Sequence, residues 1–359
     1  MAISTQHKVY IPDTARDNQY ILADAQLSQA FFACYADEKS CYQQLSKLFF
    51  RLADAAGLRN VHFIANDKLP VVRFHSEAFS FQTAEQQLFF YNPAYHEAQS
   101  SWFDGNYRAR KISLLCLATG DEIRNHAAEF HLKVRQVIQD FQALLPLAGV
   151  QFRLRDHQHL TYDLFARQKG CDSSFGYKLR SLAARYQARG VAVPAEHHSM
   201  TYAAVHLPLF RELKQQLLHA IADVDQQGYA LLYQTLEQQL TECATSQHLT
   251  RLALVADGTT PLVRNSHTDK ARRGSELTML SFDAHSPLPQ VFSHWAEDVL
   301  ADTVHLLLVA GQDDNTEYGY GRFMNQVEQA LKTLAQNFAL DPAKHDLTIR
   351  FHQHISYLL

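Results

Sequence analysis

Leu58-Arg-Asn-Val-His-Phe-Ile-Ala-Asn-Asp-Lys-Leu-Pro-Val-Val-Arg73 and Leu249-Thr-Arg-Leu-Ala-Leu-Val-Ala-Asp-Gly-Thr-Thr-Pro-Leu-Val-Arg264 align without a gap. Identical pairs are Leu58/Leu249, Ala65/Ala256, Pro70/Pro261, Val72/Val263 and Arg73/Arg264, at an offset of 191 (264 − 73). The only two tryptophans, Trp102 and Trp295, fall at 193 (295 − 102), and Ile112–Ala118 matches Val304–Ala310. Phe130/Phe323 and Val134/Val327 continue the series, and His157-Gln-His-Leu-Thr-Tyr162 pairs with His352-Gln-His-Ile-Ser-Tyr357 at 195 (352 − 157). Self-similarity at a nearly fixed offset is the mark of a repeated structural unit. The reading is a tandem duplication: an extension over residues 1–17, one copy over 18–163, a connector over 164–199 and a second copy over 200–359.

Each copy carries the same succession of patterns. A short strand, Tyr20–Ala23 or Tyr202–Val205, leads into helical sequence. A β-hairpin is expected next, Val61–Ala65 with Val71–Phe74 through Asn66-Asp-Lys, matched by Asp257-Gly, a strong turn signal. There follow a strand (Gln87–Tyr91; Leu277–Phe282), a loop bearing the tryptophan, and a buried apolar strand (Ile112–Ala118; Val304–Ala310). A long amphipathic helix (about 122–145; about 317–339) then precedes a final strand (about 151–162; about 346–357). The fold class is α+β, one mixed-sheet α/β unit occurring twice with pseudo-twofold packing.

A chain of 359 residues has room for two cores, and 47% hydrophobic with 19% charged residues is the balance of a globular protein. No apolar run reaches membrane-spanning length, and the N-terminus has no basic stretch followed by an apolar core, so a cytoplasmic location is expected and no membrane partner. Five scattered cysteines without a CxxC pair speak against a disulfide framework or thiolate zinc site, and Cys116 reads as a core residue. A net charge of −4 gives no general pull toward nucleic acid. The connector is locally basic (Arg167, Lys169, Lys178, Arg180, Arg185, Arg189), which fits either a solvated helix over Lys178–Arg189 or a patch for phosphate or nucleic acid.

Twenty histidines make their placement worth following. Alternate residues of a strand share a face, so Arg155, His157, His159 and Thr161 point one way in the first copy, and Arg350, His352, His354 and Ser356 in the second. Leu154, Gln158, Leu160 and Tyr162, with Ile349, Gln353, Ile355 and Tyr357, form the backing faces, read as apolar. Each polar stripe is about 20 Å long. Three readings of it are open. It is a solvated or interface-lining face kept by common origin, as in a binding or scaffold protein; or a metal site, since His at i and i+2 can reach one ion; or an anion or phosphoryl site. A flanking arginine on each stripe, with no carboxylate beside it, weighs against a cation. Arginine forks, a hydroxyl donor and histidine acid–base chemistry favour an anion, so no cofactor or metal is expected.

His159-Leu-Thr-Tyr162 and His354-Ile-Ser-Tyr357 resemble the His-apolar-[Ser/Thr]-apolar motif of the two-histidine phosphoesterases. That resemblance implies His159 and His354 as an acid–base pair and Thr161 and Ser356 as phosphate-binding groups acting on a small phosphorylated ligand. The family's chains are roughly half this length and its motifs lie closer together. Arg73 and Arg264, near His75 and His267, are further cationic candidates. Asp121-Glu122 and Asp313-Asp314-Asn315 read as helix N-caps, although the second, with Glu317, has the donors for a cation. No P-loop, GxGxxG, GxSxG or HExxH is present. Across most of its length the chain also resembles a family of hypothetical bacterial proteins to which no activity is assigned, through His7-Lys-Val-Tyr-Ile-Pro12, Asn66–Arg73 and Arg155–Phe165.

Overall fold

The apolar run Ile112–Leu117 is a fully buried strand with a neighbour on each edge, and the architecture is built outward from it and its counterpart Val304–Val309. The computed structural model describes the chain except residues 1–8, 13–14, 95–96, 121, 123–125, 167–168, 170–175, 178–180, 210–212, 216–228, 267–269, 297–299 and 313–318. Chain order begins β1 (Val9–Tyr10), β2 (Arg16–Gln26), α1 (Gln29–Phe32), α2 (Glu38–Ala55), β3 (Asn60–Ala65), β4 (Leu69–Phe74) and β5 (Phe79–Gln82). Next come β6 (Gln86–Tyr91), β7 (Ala98–Phe103), β8 (Lys111–Leu117), α3 (Ala127–Ala143) and β9 (Arg153–Asp163). Then follow β10 (Gly176–Tyr177), α4 (Leu182–Gln187), β11 (His198–Pro208), α5 (Ala230–Ser246), β12 (Arg251–Ala256) and β13 (Thr260–Asn265). The chain closes with β14 (Lys270–Arg273), β15 (Leu277–Phe282), β16 (Gln290–Trp295), β17 (Thr303–Val309), α6 (Gly319–Asn337) and β18 (Thr348–Leu358).

Strands and helices are mixed along the chain, and strand pairing is both parallel and antiparallel. By contact density the residues fall into two units. The first comprises 17–158, 185–199 and 354–359; the second comprises 1–16, 159–184 and 200–353. Both boundaries cut through the final strands β9 and β18, so each unit owns part of each.

In the first unit the strand order is β18-β9-β2-β8-β3-β7. β2 and β3 flank β8 antiparallel, and β7 joins β3 in parallel. Helices α2 and α3 cover one face. Asp37 caps α2 by accepting from the Ser40 amide at 2.6 Å, and Cys41, Tyr42, Leu45, Phe49 and Ala53 recur at helical spacing on its buried side. Phe49 meets Phe141 of α3 edge-on, and each such ring removed from water contributes about 1.5–3 kcal/mol. The opposite face is covered at its outer end by a three-stranded sheet, β4-β6-β5, whose Val72, Phe89 and Tyr91 pack on Tyr20, Leu22, Ile64, Leu115 and Leu117.

The second unit has the order β16-β12-β17-β11-β18-β9 with the same senses: β11 and β12 flank β17 antiparallel and β16 joins β12 in parallel. α5 and α6 bury Leu232, Leu236, Leu240, Phe323, Val327 and Leu331 against one face. A small sheet, β13-β15-β14, covers the other through Val263, Leu280 and Phe282.

Two expectations are corrected. β3 and β4 do not form a hairpin: β3 lies between β7 and β8, whereas β4 pairs in parallel with β6 in a separate sheet. Pro70 explains part of this, since a residue without an N–H belongs on a sheet edge, where β4 lies; Pro261 does the same for β13. The Asn66-Asp-Lys turn, with Asp67 left-handed at φ 53°, carries the chain from one sheet to the other. The tryptophans lie on strands rather than loops. Trp102 on β7 registers with Ile64, and Trp295 on β16 with Ala256. Both strands are half-exposed sheet edges, which is why their sequences lack an apolar run.

Candidate functional site

In the first unit, β2, β9 and β18 bring three rings together on the face away from the helices. Tyr20 stacks flat on His157, centroids 4.5 Å apart and 13° from parallel, and His157 lies 5.4 Å from His354. β9 and β18 run antiparallel here, since Leu359 donates to the Phe152 carbonyl while His157 faces His354. In the second unit, Tyr202 of β11 stacks on His352 at 4.5 Å and 17°, and His352 lies 4.3 Å from His159. There the two final strands again run antiparallel, Leu164 donating to the Leu347 carbonyl. Each unit therefore draws one histidine from each of the two HQH segments.

Charge is organised around the first trio. Arg155 is paired with Asp24 at 2.7 Å, and Asp24 also takes Lys111 at 3.2 Å and the Ser113 hydroxyl at 2.6 Å. The carboxylate that the sequence stripe lacks thus arrives from β2. Burial pushes the His354 pKa down to about 4, helped by the charges of Arg155 and His198, so the ring is neutral at physiological pH. In the second unit, burial pushes the Tyr202 phenol up to about 12 despite the opposing charge of Arg350.

The remaining candidates are placed as follows. Thr161 is half-buried in the second unit and Ser356 is buried in the first. Arg73 and Arg264 lie on the small sheets, in register with Phe90 and Ser281, and not on the histidine-bearing strands. Of the connector's cations, Lys169 is engaged by Asp163 and Asp346, and Arg185 donates to Gln158. Arg167, Lys178, Arg180, His267, Asp121, Asp313, Asp314, Asn315 and Glu317 lie outside the described residues.

The backing face of β9 is not simply apolar, a correction to the sequence reading. Asp156 sits in it fully buried, its carboxylate accepting from Nδ1 of His131 at 2.7 Å, from Gln19 at 3.2 Å and from the Tyr186 hydroxyl. Tyr357 of β18 closes the network on Nε2 of His131 at 2.9 Å. A buried carboxylate holds its place only when its lone pairs are answered, and here three donors answer them. The charge of Asp156 and, first, burial raise the Tyr186 pKa well above its ordinary value. Beside it, Gln158 donates to Asp17 at 2.9 Å, and burial lifts the Asp17 pKa to about 6 against the pull of Arg185.

Sequence reasoning passed over Asp156 and His131. The signal lay in the alignment of the two similar segments: Asp156 aligns with Phe351 and His131 with Met324, both fully buried in the second unit. There Tyr162, the partner of Tyr357 in that alignment, donates instead to Glu328 at 2.5 Å.

Residues 40–357 match a family described as "Protein of unknown function (DUF3083)". No curated protein matches the chain. Among solved structures, an aldoxime dehydratase crystal structure aligns over 98% of this chain and 87% of its own at 8% identity and a TM-score of 0.26. No helix among the described residues is long and apolar enough to cross a membrane.

Proposed function

The chain belongs to the DUF3083 family of proteins of unknown function, and we propose that it is a metal-binding protein whose first unit holds a divalent transition-metal ion between His157 and His354. The observation that carries this reading is the 5.4 Å separation of the two rings across adjacent antiparallel strands. Two imidazoles bound to one tetrahedral ion through nitrogens at about 2.0 Å have ring centres about 5 Å apart. A neutral imidazole binds metal without displacing a proton, which suits His354. The Arg155 charge, which from sequence opposes a cation, is answered by Asp24. Tyr20 fixes the ring plane of His157, as outer groups around metal ligands do. Two protein ligands leave open positions, the feature that separates reactive sites from structural ones.

The same proposal includes a tandem duplication as the origin of the two units. The matching succession of strands and equal pairing senses in the two units support it, as does the Tyr-His-His trio in each.

The test is titration of the full chain with copper(II) chloride, followed by calorimetry and electron paramagnetic resonance. One equivalent should bind with nitrogen hyperfine splitting, and His157→Ala or His354→Ala should abolish that species. Binding no tighter than to buffer, or a spectrum unchanged in both variants, overturns the reading.

A further inference from the structure

Asp156, His131 and Tyr357 form a relay of three groups sealed from solvent, with relative exposures of 0%, 0% and 1%. The tautomer follows from the partners. A carboxylate accepts, so Nδ1 of His131, 2.7 Å from Asp156, carries the ring proton. Nε2 then offers its lone pair to the Tyr357 hydroxyl at 2.9 Å. Tyr357 is therefore a phenol whose proton already points at a base, and the base is backed by a fixed negative charge.

No substrate reaches groups so deeply enclosed. What remains open to them is movement of a proton along an existing hydrogen bond and departure of an electron through the protein. Burial keeps Tyr357 protonated at rest, its pKa pushed up to about 12. A phenol that loses an electron becomes strongly acidic, and here the acceptor for its proton is in place.

We propose that Tyr357 is a redox-active tyrosine. One electron passes to a high-potential one-electron acceptor of the class of an oxidised transition-metal centre. The phenolic O–H bond breaks, its proton forms an N–H bond at Nε2 of His131, and a neutral phenoxyl radical remains beside an imidazolium. Asp156 stabilises that imidazolium as an ion pair, with Gln19 and Tyr186 holding the carboxylate in position. Return of the electron sends the proton back to oxygen. Tyr357 lies three residues from His354 on the same strand, about 10 Å along it. In the second unit the aligned groups differ: Tyr162 meets Glu328, with Met324 and Phe351 at the positions aligned to His131 and Asp156. Tyr162 thus serves as an internal comparison.

The experiment supplies its own acceptor and is independent of the metal reading. Flash-generated tris(bipyridyl)ruthenium(III) oxidises the full-length protein, and the radical is trapped for electron paramagnetic resonance. A single hydrogen-bonded neutral tyrosyl radical should dominate among the 16 tyrosines. It should form with a solvent deuterium isotope effect, vanish in Tyr357→Phe, persist in Tyr162→Phe and form more slowly in His131→Gln. Tyr357→Phe removes one oxygen and keeps the ring in the core. A mixture of radicals that Tyr357→Phe leaves untouched overturns the proposal. So does a wild-type radical formed with no isotope effect, a result that needs no variant.

Discussion

The phenol of Tyr20 lies flat against the imidazole of His157, 4.5 Å between centroids, and so sets the plane in which His157 can meet His354. Stacked aromatic pairs contribute about 0.5–1.5 kcal/mol beyond their buried area. Tyr20→Phe keeps the stack and should leave both stability and copper affinity close to wild type. Tyr20→Ala removes a buried ring, and urea unfolding should register a loss of about 3 kcal/mol. Calorimetry on the folded fraction should then show weakened copper binding, because His157 loses the ring it stacks on. Equal copper affinity in Tyr20→Ala and wild type would count against Tyr20 as an orienting group.

Asp24 holds Arg155 and Lys111 in one charge cluster, so its removal exposes a cation site to two unopposed positive charges. Asp24→Asn should weaken copper binding about tenfold, the equivalent of 1.4 kcal/mol. High salt should recover part of the loss, because exposed charges are screened. Titration at two ionic strengths decides it, and an Asp24→Asn affinity that matches wild type at both would show that Arg155 does not bear on the pair.

The histidine stripe was legible because strand alternation is a local signal and the two HQH segments repeat it. The helices were legible for the same reason, Cys41, Leu45 and Phe49 recurring at spacings that a single turn enforces. Which strand lies beside which was not. His157 meets His354 through the pairing of β9 with β18, and Ile64 meets Trp102 through a parallel edge pairing; neither is encoded in nearby residues. The hairpin expected at Asn66-Asp-Lys shows the limit of a turn signal, which bends the chain without choosing the sheet it enters. Asp156 was hidden by its neighbours: between Leu154 and Gln158, on a face that ends in Leu160 and Tyr162, a lone carboxylate looks incidental until its buried partners are known.

Asp17 makes stability depend on pH in the sense opposite to most carboxylates. Its folded pKa, about 6, exceeds the ordinary aspartate value of 3.8, so between those values the native state keeps a proton that the unfolded chain has lost. Stability therefore falls as pH rises through that window and stays lower above it. Asp17→Asn retains an oxygen for the Gln158 amide and removes the buried charge. It should stabilise the protein by about 1–2 kcal/mol at pH 7, with allowance for partial solvent access, and by little at pH 4. Urea midpoints at the two pH values measure the difference. A gain of equal size at both would trace the effect to packing and not to ionisation.

Asp156 ties two tyrosines, a glutamine and His131 into one network, so its removal should cost more than any one of its hydrogen bonds. Breaking a buried charge–partner set typically costs about 3–5 kcal/mol, because the groups left behind stay desolvated and unanswered. Asp156→Asn keeps the shape but presents an amide where His131 and Tyr186 both donate, and it should lower stability by an amount in that range. The double variant Asp156→Phe with His131→Met installs the residues that the second unit holds at the aligned positions, Phe351 and Met324. Apolar packing of similar volume can replace a buried polar cluster at little net cost, so the double variant should recover part of the loss seen in Asp156→Asn. Chemical denaturation compares the three proteins directly. If the double variant is less stable than Asp156→Asn, the pocket is shaped for the polar network and the apolar solution of the second unit does not transfer. In either outcome, the flash-induced radical at Tyr357 should be missing from the double variant, since its proton acceptor is gone.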